Sequence, residues 1–227
     1  MKKHGFINLV VILTLCFQLS SCTNEAEEKK KEAIALLEQR GIFNYEKELM
    51  IAAREGDTEL MKLLIAAGAN VNEEHLQWAA LYAHEEAVKL LMEHGINANP
   101  PSRKGKLTPL HFAARGGNEN IVRLFLEKGA DVNSRNAESG DDTPLHGAAG
   151  SGNPKCVKLL LKAGAHIDPQ GKDGNTPLHI AAMQGHHQCA KALLKAGANP
   201  HIKNNKGETP IQVASGKCKE IPELAVQ

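Results

Sequence analysis

Thr108-Pro109-Leu110-His111, Thr143-Pro144-Leu145-His146, Thr176-Pro177-Leu178-His179 and Thr209-Pro210-Ile211-Gln212 are four copies of one phrase, set 35, 33 and 33 residues apart. Each position in it has a physical reason. Thr is a good helix N-cap, because its hydroxyl accepts an orphan backbone N–H. Pro at the first helical position gives up a donor that the helix does not need. Leu points inward, and the His three residues after the cap is placed to bond back to the capping residue or across to a neighbouring copy.

Two further phrases keep the same register. Ala113-Ala114-Arg115-Gly116-Gly117-Asn118, Ala149-Gly150-Ser151-Gly152-Asn153 and Ala181-Ala182-Met183-Gln184-Gly185-His186 end a first helix with small residues that let neighbouring helices approach. Gly129-Ala130-Asp131-Val132-Asn133, Gly164-Ala165-His166-Ile167-Asp168 and Gly197-Ala198-Asn199-Pro200-His201 close a second, amphipathic helix with a C-cap glycine and a turn-forming Asp or Asn. The same closing phrase recurs as Gly95-Ile96-Asn97-Ala98-Asn99 and Gly68-Ala69-Asn70-Val71-Asn72, with a fainter copy at Gly41-Ile42.

A period of about 33 residues carrying this tetrapeptide resembles the ankyrin repeat. The resemblance implies an all-α solenoid of helix-turn-helix units joined by short β-hairpin fingers. Gly41, Gly68 and Gly95 are only 27 residues apart, however, and Asn72 leads almost directly into Leu76 and Ala79-Ala80. About six residues are missing where a finger would project, so the first units are expected to lack fingers. The boundaries that follow are a degenerate cap at 32–45, units at about 46–72, 73–99, 100–133, 134–168 and 169–201, and a C-terminal cap at 202–227. In that cap Ser215-Gly216 and Pro222 interrupt both helices, while Lys217, Lys219, Glu220 and Glu223 supply the polar outer face that a solenoid end needs.

The amino end reads differently. Lys2 and Lys3 precede a 14-residue, largely apolar stretch from Phe6 to Leu19. That stretch is short for a bilayer span, and its layout is that of a secretory signal peptide over residues 1–21. Leu19-Ser20-Ser21-Cys22 resembles the lipobox of bacterial lipoproteins, which implies acylation of Cys22 and attachment to a membrane through several acyl chains. Thr23, in place of Asp, implies by the same resemblance the outer membrane of a Gram-negative host. Residues 22–31 then form a charged tether, unless Glu28, Lys29 and Glu32 prolong the first helix. The alternative location is secretion without a tether.

Without residues 1–21 the chain has 25 basic and 26 acidic residues, and its basic clusters are short and flanked by acids. This balance gives no reason to expect a nucleic-acid partner. The 11 histidines are mostly explained by repeat position and show no metal-ligand spacing, so no metal and no cofactor are expected. No Gly-x-Ser-x-Gly elbow, phosphate-cradling glycine loop or His-Glu-x-x-His is present, and the expectation is a non-enzyme. Cys156 and Cys189 occupy matching positions of consecutive second helices, about 8 to 10 Å apart and too far for a disulfide, and are expected to be buried. Cys218 is left open, with exposure a possibility.

The expected function is protein binding by a monomeric scaffold, since stacked repeats present an extended surface over a fixed core. An accessory or inhibitor of an envelope enzyme would use the same surface. By resemblance to the family, contacts fall on the finger tips and on the exposed ends of the first helices. The matching tip residues are Arg103, Lys104, Lys106, Glu138, Asp141, Asp142, Lys172, Asp173 and Lys206. The matching helix-end residues are Leu81, Tyr82, Arg115 and Met183. Thr108, His111, Thr143, His146, Thr176, His179 and Thr209 are expected to be structural, and Trp78 is expected to pack in the core.

Overall fold

The computed structural model describes residues 25–100, 106–137, 140 and 142–221. Cys22, the signal-peptide stretch, Arg103, Lys104, Glu138, Asp141, Pro222 and Glu223 lie outside the described residues. Eleven α-helices are present among the described residues, in two compact units: one holds the described residues up to Ala52 together with Asp57–Asn70, and the other Ala53–Gly56 with the chain from Val71.

In the first unit, α1 covers residues 25–39, α2 is Tyr45–Glu55 (its last three residues count with the second unit) and α3 is Thr58–Ala66. Residues 25–31 are therefore helical, the alternative in which the charged segment prolongs the first helix. Ala33, Leu37, Leu49, Ala52, Met61 and Leu64 form its buried face. Asp57 caps α3 by accepting the Leu60 N–H at 2.9 Å, and Glu46 accepts the Asn70 N–H at 2.9 Å.

The second unit is a stack of helix pairs. Its inner helices are α4 (Glu73–Leu81), α6 (Pro109–Gly116), α8 (Pro144–Ser151) and α10 (Pro177–Met183); its outer helices are α5 (Glu85–Glu93), α7 (Glu119–Glu127), α9 (Pro154–Lys162) and α11 (His187–Lys195). Each inner helix packs on its own outer helix and on the inner helix of the next pair. Inner helices approach one another more closely than outer helices do, which puts the inner layer on the concave side of this unit. Small residues make that approach possible: Ala79, Ala80, Ala113, Ala114, Ala148, Ala149, Ala181 and Ala182 are all buried. Between the layers lie Leu76, Val88, Leu91, Leu110, Ile121, Phe125, Leu145, Leu160, Leu178 and Leu193.

Only six residues, Ala67–Asn72, separate α3 from α4, against fourteen between α9 and α10, so the early finger is absent as its short spacing predicts. The later fingers correct one expectation. They are hairpin-shaped, yet the described residues include no β-strand, only an isolated antiparallel bridge between Asn136 and Asp142. The finger at 171–175 is closed by the Gly171 N–H on the Asn175 carbonyl, and that at 204–208 by the Asn204 N–H on the Glu208 carbonyl, each at 2.9 Å. Other finger bonds run to the neighbouring finger: the Lys172 N–H donates to Asp142 Oδ1 (3.1 Å) and the Asn205 N–H to the Asp173 carbonyl (2.9 Å).

The three cysteines within the described residues are thiols, and all are buried. This corrects the open reading of Cys218: it fills the space beside α10, with Sγ 3.8 Å from the Ala181 carbonyl oxygen. The short 3₁₀ turn Gly216–Glu220 carries it onto the last helix pair, where Ile221 is also buried.

Candidate functional site

The histidines of the repeated tetrapeptide make both bonds that the sequence leaves as alternatives. Nδ1 of His111, His146 and His179 accepts the backbone N–H of Thr108, Thr143 and Thr176 at 3.1, 3.0 and 3.2 Å. Nε2–H then donates forward to the carbonyls of Asp142, Asn175 and Glu208 at 3.1, 3.0 and 3.0 Å. Accepting at one nitrogen and donating at the other is the pattern of a neutral ring. Burial holds all three histidines below the ordinary imidazole range, against a smaller opposing pull from the carbonyls and carboxylates they face. These side chains join each inner helix to the next finger. At Thr209 the role of His passes to Gln212, whose Oε1 accepts the Thr209 N–H at 2.7 Å.

A second set of cross-links follows the outer-helix N-caps. His84 Nε2–H, Asn118 Nδ2, Asn153 Nδ2 and His186 Nε2–H donate to the carbonyls of Arg54, Ala83, Gly117 and Gly150, at 2.9, 3.4, 2.7 and 3.1 Å. Each bond ties the start of an outer helix to the end of the preceding inner helix. The surface next to these helix ends is therefore held by backbone-anchored side chains on both sides.

On that surface Tyr82 and Met183 are, among the described residues of this unit, the large apolar side chains most open to solvent, 44% and 42% exposed. Tyr82 stacks on Trp78, with ring centroids 6.0 Å apart and planes 20° from parallel. The Arg54 guanidinium lies 5.5 Å from the Tyr82 ring centroid, within cation–π range. Trp78 is half-buried rather than part of the core. The reason is positional: Phe112, Gly147, Ile180 and Val213, which match it in the other copies, are half-buried too, so this site is a margin of the inner face and a large ring there remains partly wet.

Leu81 is half-buried and Arg115 exposed, which makes Arg54, Leu81 and Arg115 consecutive steps of one row along the inner-helix ends. Arg54 was missed by sequence reading, although it stands one repeat before Leu81 in the same register. Gly116, the α6 counterpart of Tyr82, has no side chain to cover the ring.

The finger residues are more varied. Lys106, Lys172, Asp173 and Lys206 are exposed. Asp142 is half-buried; its carboxylate accepts the Lys172 N–H of the next finger, and its carbonyl accepts from His111 Nε2–H of α6. Asp173 adopts a left-handed conformation (φ 59°) at the tip of its turn. Among the described residues no cluster of His, Cys, Asp and Glu has metal-binding geometry, and no helix is long and apolar enough to cross a membrane.

Helix pairs stacked in one direction, with conserved-in-kind caps and variable helix ends, define a repeat protein of the interaction type. The family model for ankyrin repeats matches residues 49–136, 101–171 and 145–224, so the chain belongs to the ankyrin repeat family, whose repeats are typically non-catalytic protein-interaction modules. No curated protein matches the chain.

Proposed function

We propose that this protein is a non-catalytic, monomeric scaffold that binds another protein, and that it is held on a bacterial envelope membrane by acylation at Cys22. The observation that carries the binding half is the Trp78–Tyr82 stack with Arg54 over it and Arg115 one step on. Aromatic and arginine side chains that are rigidly held yet exposed are the residue types on which interface energy concentrates. Tyr82 is positioned before any partner arrives, so little conformational entropy is lost on docking. The basic flanks favour a partner segment that offers an apolar side chain beside carboxylates, with Lys106, Lys172, Asp173 and Lys206 available at the rim.

The tether half rests on the sequence Leu19-Ser20-Ser21-Cys22 after a short apolar stretch, with Thr23 favouring the outer membrane. Two measurements test the reading separately. Mass spectrometry of the amino terminus should find Cys22 as the first residue, carrying acyl chains; an unmodified mature end removes the tether and leaves a secreted binder. Affinity capture from the native envelope with wild type, Tyr82→Ala and Arg115→Glu should recover a protein that both variants lose while their circular dichroism is unchanged. Equal recovery by all three would move the binding surface off the inner-helix ends.

A further inference from the structure

The outer helices carry a change of charge that the repeat pattern does not require. Their fifth positions are all basic in the second unit: Lys89, Arg123, Lys158 and Lys191. In α5 and α7 that base is neutralised locally. Lys89 pairs with Glu85 and Glu86, each at 2.9 Å, and Arg123 with Glu119 at 2.8 Å. Helix α5 has three acids to one base and α7 two acids to one. In α9 and α11 the acids are gone: α9 carries Lys155, Lys158 and Lys162, and α11 carries Lys191 and Lys195, with no Asp or Glu in either.

All five lysines are exposed. Lys155 reaches back to Glu119 at 3.4 Å, but Lys158, Lys162, Lys191 and Lys195 have no ion-pair partner among the described residues. Within each helix the pair is four residues apart, hence on one face about 6 Å apart. The two pairs occupy matching positions of adjacent outer helices, about 8 to 10 Å from each other. Like charges at this spacing weaken the helices that carry them. Lys217, whose carbonyl accepts from His187 Nδ1–H at 3.2 Å, adds a further exposed base beside the start of α11.

We propose that the outer face of α9 and α11 docks on an anionic phospholipid bilayer. A lipid surface fits this chemistry better than the other polyanions. The groups are ammonium point charges on flexible stems, suited to a diffuse layer of headgroups, and not the planar forks that grip phosphates in fixed geometry. Neither helix has a Phe, Tyr, Trp or Arg side chain to stack on bases, as single-stranded nucleic-acid sites do, and the one imidazole, His187, is tied to the Lys217 carbonyl. The face lies opposite the inner-helix ends, so docking leaves the protein-binding surface open to solvent. This inference goes beyond the tethered-scaffold reading and does not need it, because the lysine face is complete without Cys22.

Lysine acetylation footprinting tests it on the full-length chain with its amino terminus as the cell leaves it. The chain is mixed with phosphatidylcholine vesicles, or with vesicles in which about 30% of the lipid is phosphatidylglycerol, at low salt. Acetylation of Lys158, Lys162, Lys191 and Lys195 should slow by about fivefold or more on the anionic vesicles only, and recover near 500 mM NaCl, where the Debye length falls to about 4 Å. Lys172 and Lys206 on the fingers should react at unchanged rates. The neutral variant K158Q/K162Q/K191Q/K195Q, with its melting temperature measured alongside, should lose the preference for anionic over neutral vesicles. Equal rates on the two vesicle types, slowing shared by Lys172 and Lys206, or a preference that survives in the variant would each overturn the proposal. So would slowing by duplex DNA or an acidic polypeptide with none by vesicles. Pelleting with neutral vesicles reports the acyl tether independently, so the two readings fail separately.

Discussion

Gly116 and Gly150 both lie at the ends of inner helices with ordinary right-handed backbone, and they should respond oppositely to alanine. A Cβ built on Gly116 lies against the Leu81 carbonyl oxygen, 2.7 Å from the Ala80 carbonyl oxygen and 3.0 Å from the Leu81 carbonyl carbon. These obstacles are backbone, so α4 and α6 must move apart by roughly the several tenths of an ångström that separate such contacts from normal ones. A Cβ on Gly150 meets only Ile180 Cγ2 at 3.4 Å and the Gln184 side-chain amide at 3.5 and 3.6 Å, which is ordinary contact.

Alanine in place of glycine gains up to about 1 kcal/mol of helix propensity at either site, less near a helix end. For Gly150→Ala nothing opposes that gain, and a net stabilisation of about 0.5 kcal/mol or more follows. For Gly116→Ala the overpacking costs about 1–3 kcal/mol and is felt along the whole α4–α6 contact, so the net is a loss of about 1–2 kcal/mol. At roughly 2–4 °C per kcal/mol for a chain of this size, thermal unfolding followed by circular dichroism should show Gly150→Ala up by about 1–2 °C and Gly116→Ala down by about 2–8 °C. A Gly116→Ala protein that melts at or above the wild-type temperature would refute the claim that the closeness of the inner layer, and not helix propensity, fixes this residue.

Ala83 is held at φ 64° in a turn where Gly56, Gly117, Gly152 and Gly185 have φ between 70° and 78°; Ala83→Gly should relieve about 1–2 kcal/mol of left-handed strain, less about 0.5–1 kcal/mol of chain entropy, and raise the melting temperature by about 1–4 °C. Because burial lowers the pKa of His111, His146 and His179, the unfolded chain binds protons that the folded chain refuses. Stability should be flat above about pH 6.5 and fall below it, by at most about 1.4 kcal/mol per pH unit for each histidine until the folded rings themselves titrate, which urea midpoints across pH 5 to 8 would reveal. Burial pushes the thiols of Cys156 and Cys189 up to about 11, and that of Cys218 upward as well; iodoacetamide at pH 8 should leave all three unmodified in the folded protein and label them in urea, as read by peptide mass.

Much of the fold was legible because each repeat must meet its neighbours in the same register. The Thr and His of the tetrapeptide, the inward Leu and the alanine pairs recur at one period for that reason, and the missing finger before Leu76 was readable as a shortfall of chain. The fingers were less legible: their polar atoms bond across to the next finger, through Asp142 with Lys172 and Asp173 with Asn205, and these contacts span about 30 residues with no local signature. Cys218 and Ile221 are buried although the last unit has lost its regular helices, because the open end of the stack still offers an apolar face to cover. At the candidate site, Tyr82 and Arg115 followed from the register. Arg54 stands in that register too, but its place over the Tyr82 ring depends on a contact between neighbouring helix ends that the repeated phrases do not mark.

A near-neutral total charge hides the feature of the outer helices that matters most here. In a compact globule, acids and bases scattered along the sequence are mixed on the surface, and a small net charge means a weak field everywhere. In a stack, each pair of helices touches only its neighbours, and charges more than about 8–10 Å apart are largely screened at physiological salt. The acidic α5 and the basic α9 and α11 therefore act as separate patches, and neither cancels the field of the other at the surface where a ligand would dock. The sum over the chain is thus silent on binding, whereas the sign at a fixed repeat position, followed from one helix to the next, is informative. By the same logic the inner-helix ends are read by departure from their own pattern: the buried alanine pairs hold the layers together, and the position that follows each pair, which varies as Arg54, Leu81, Arg115, Gly150 and Met183, is one that packing leaves unconstrained.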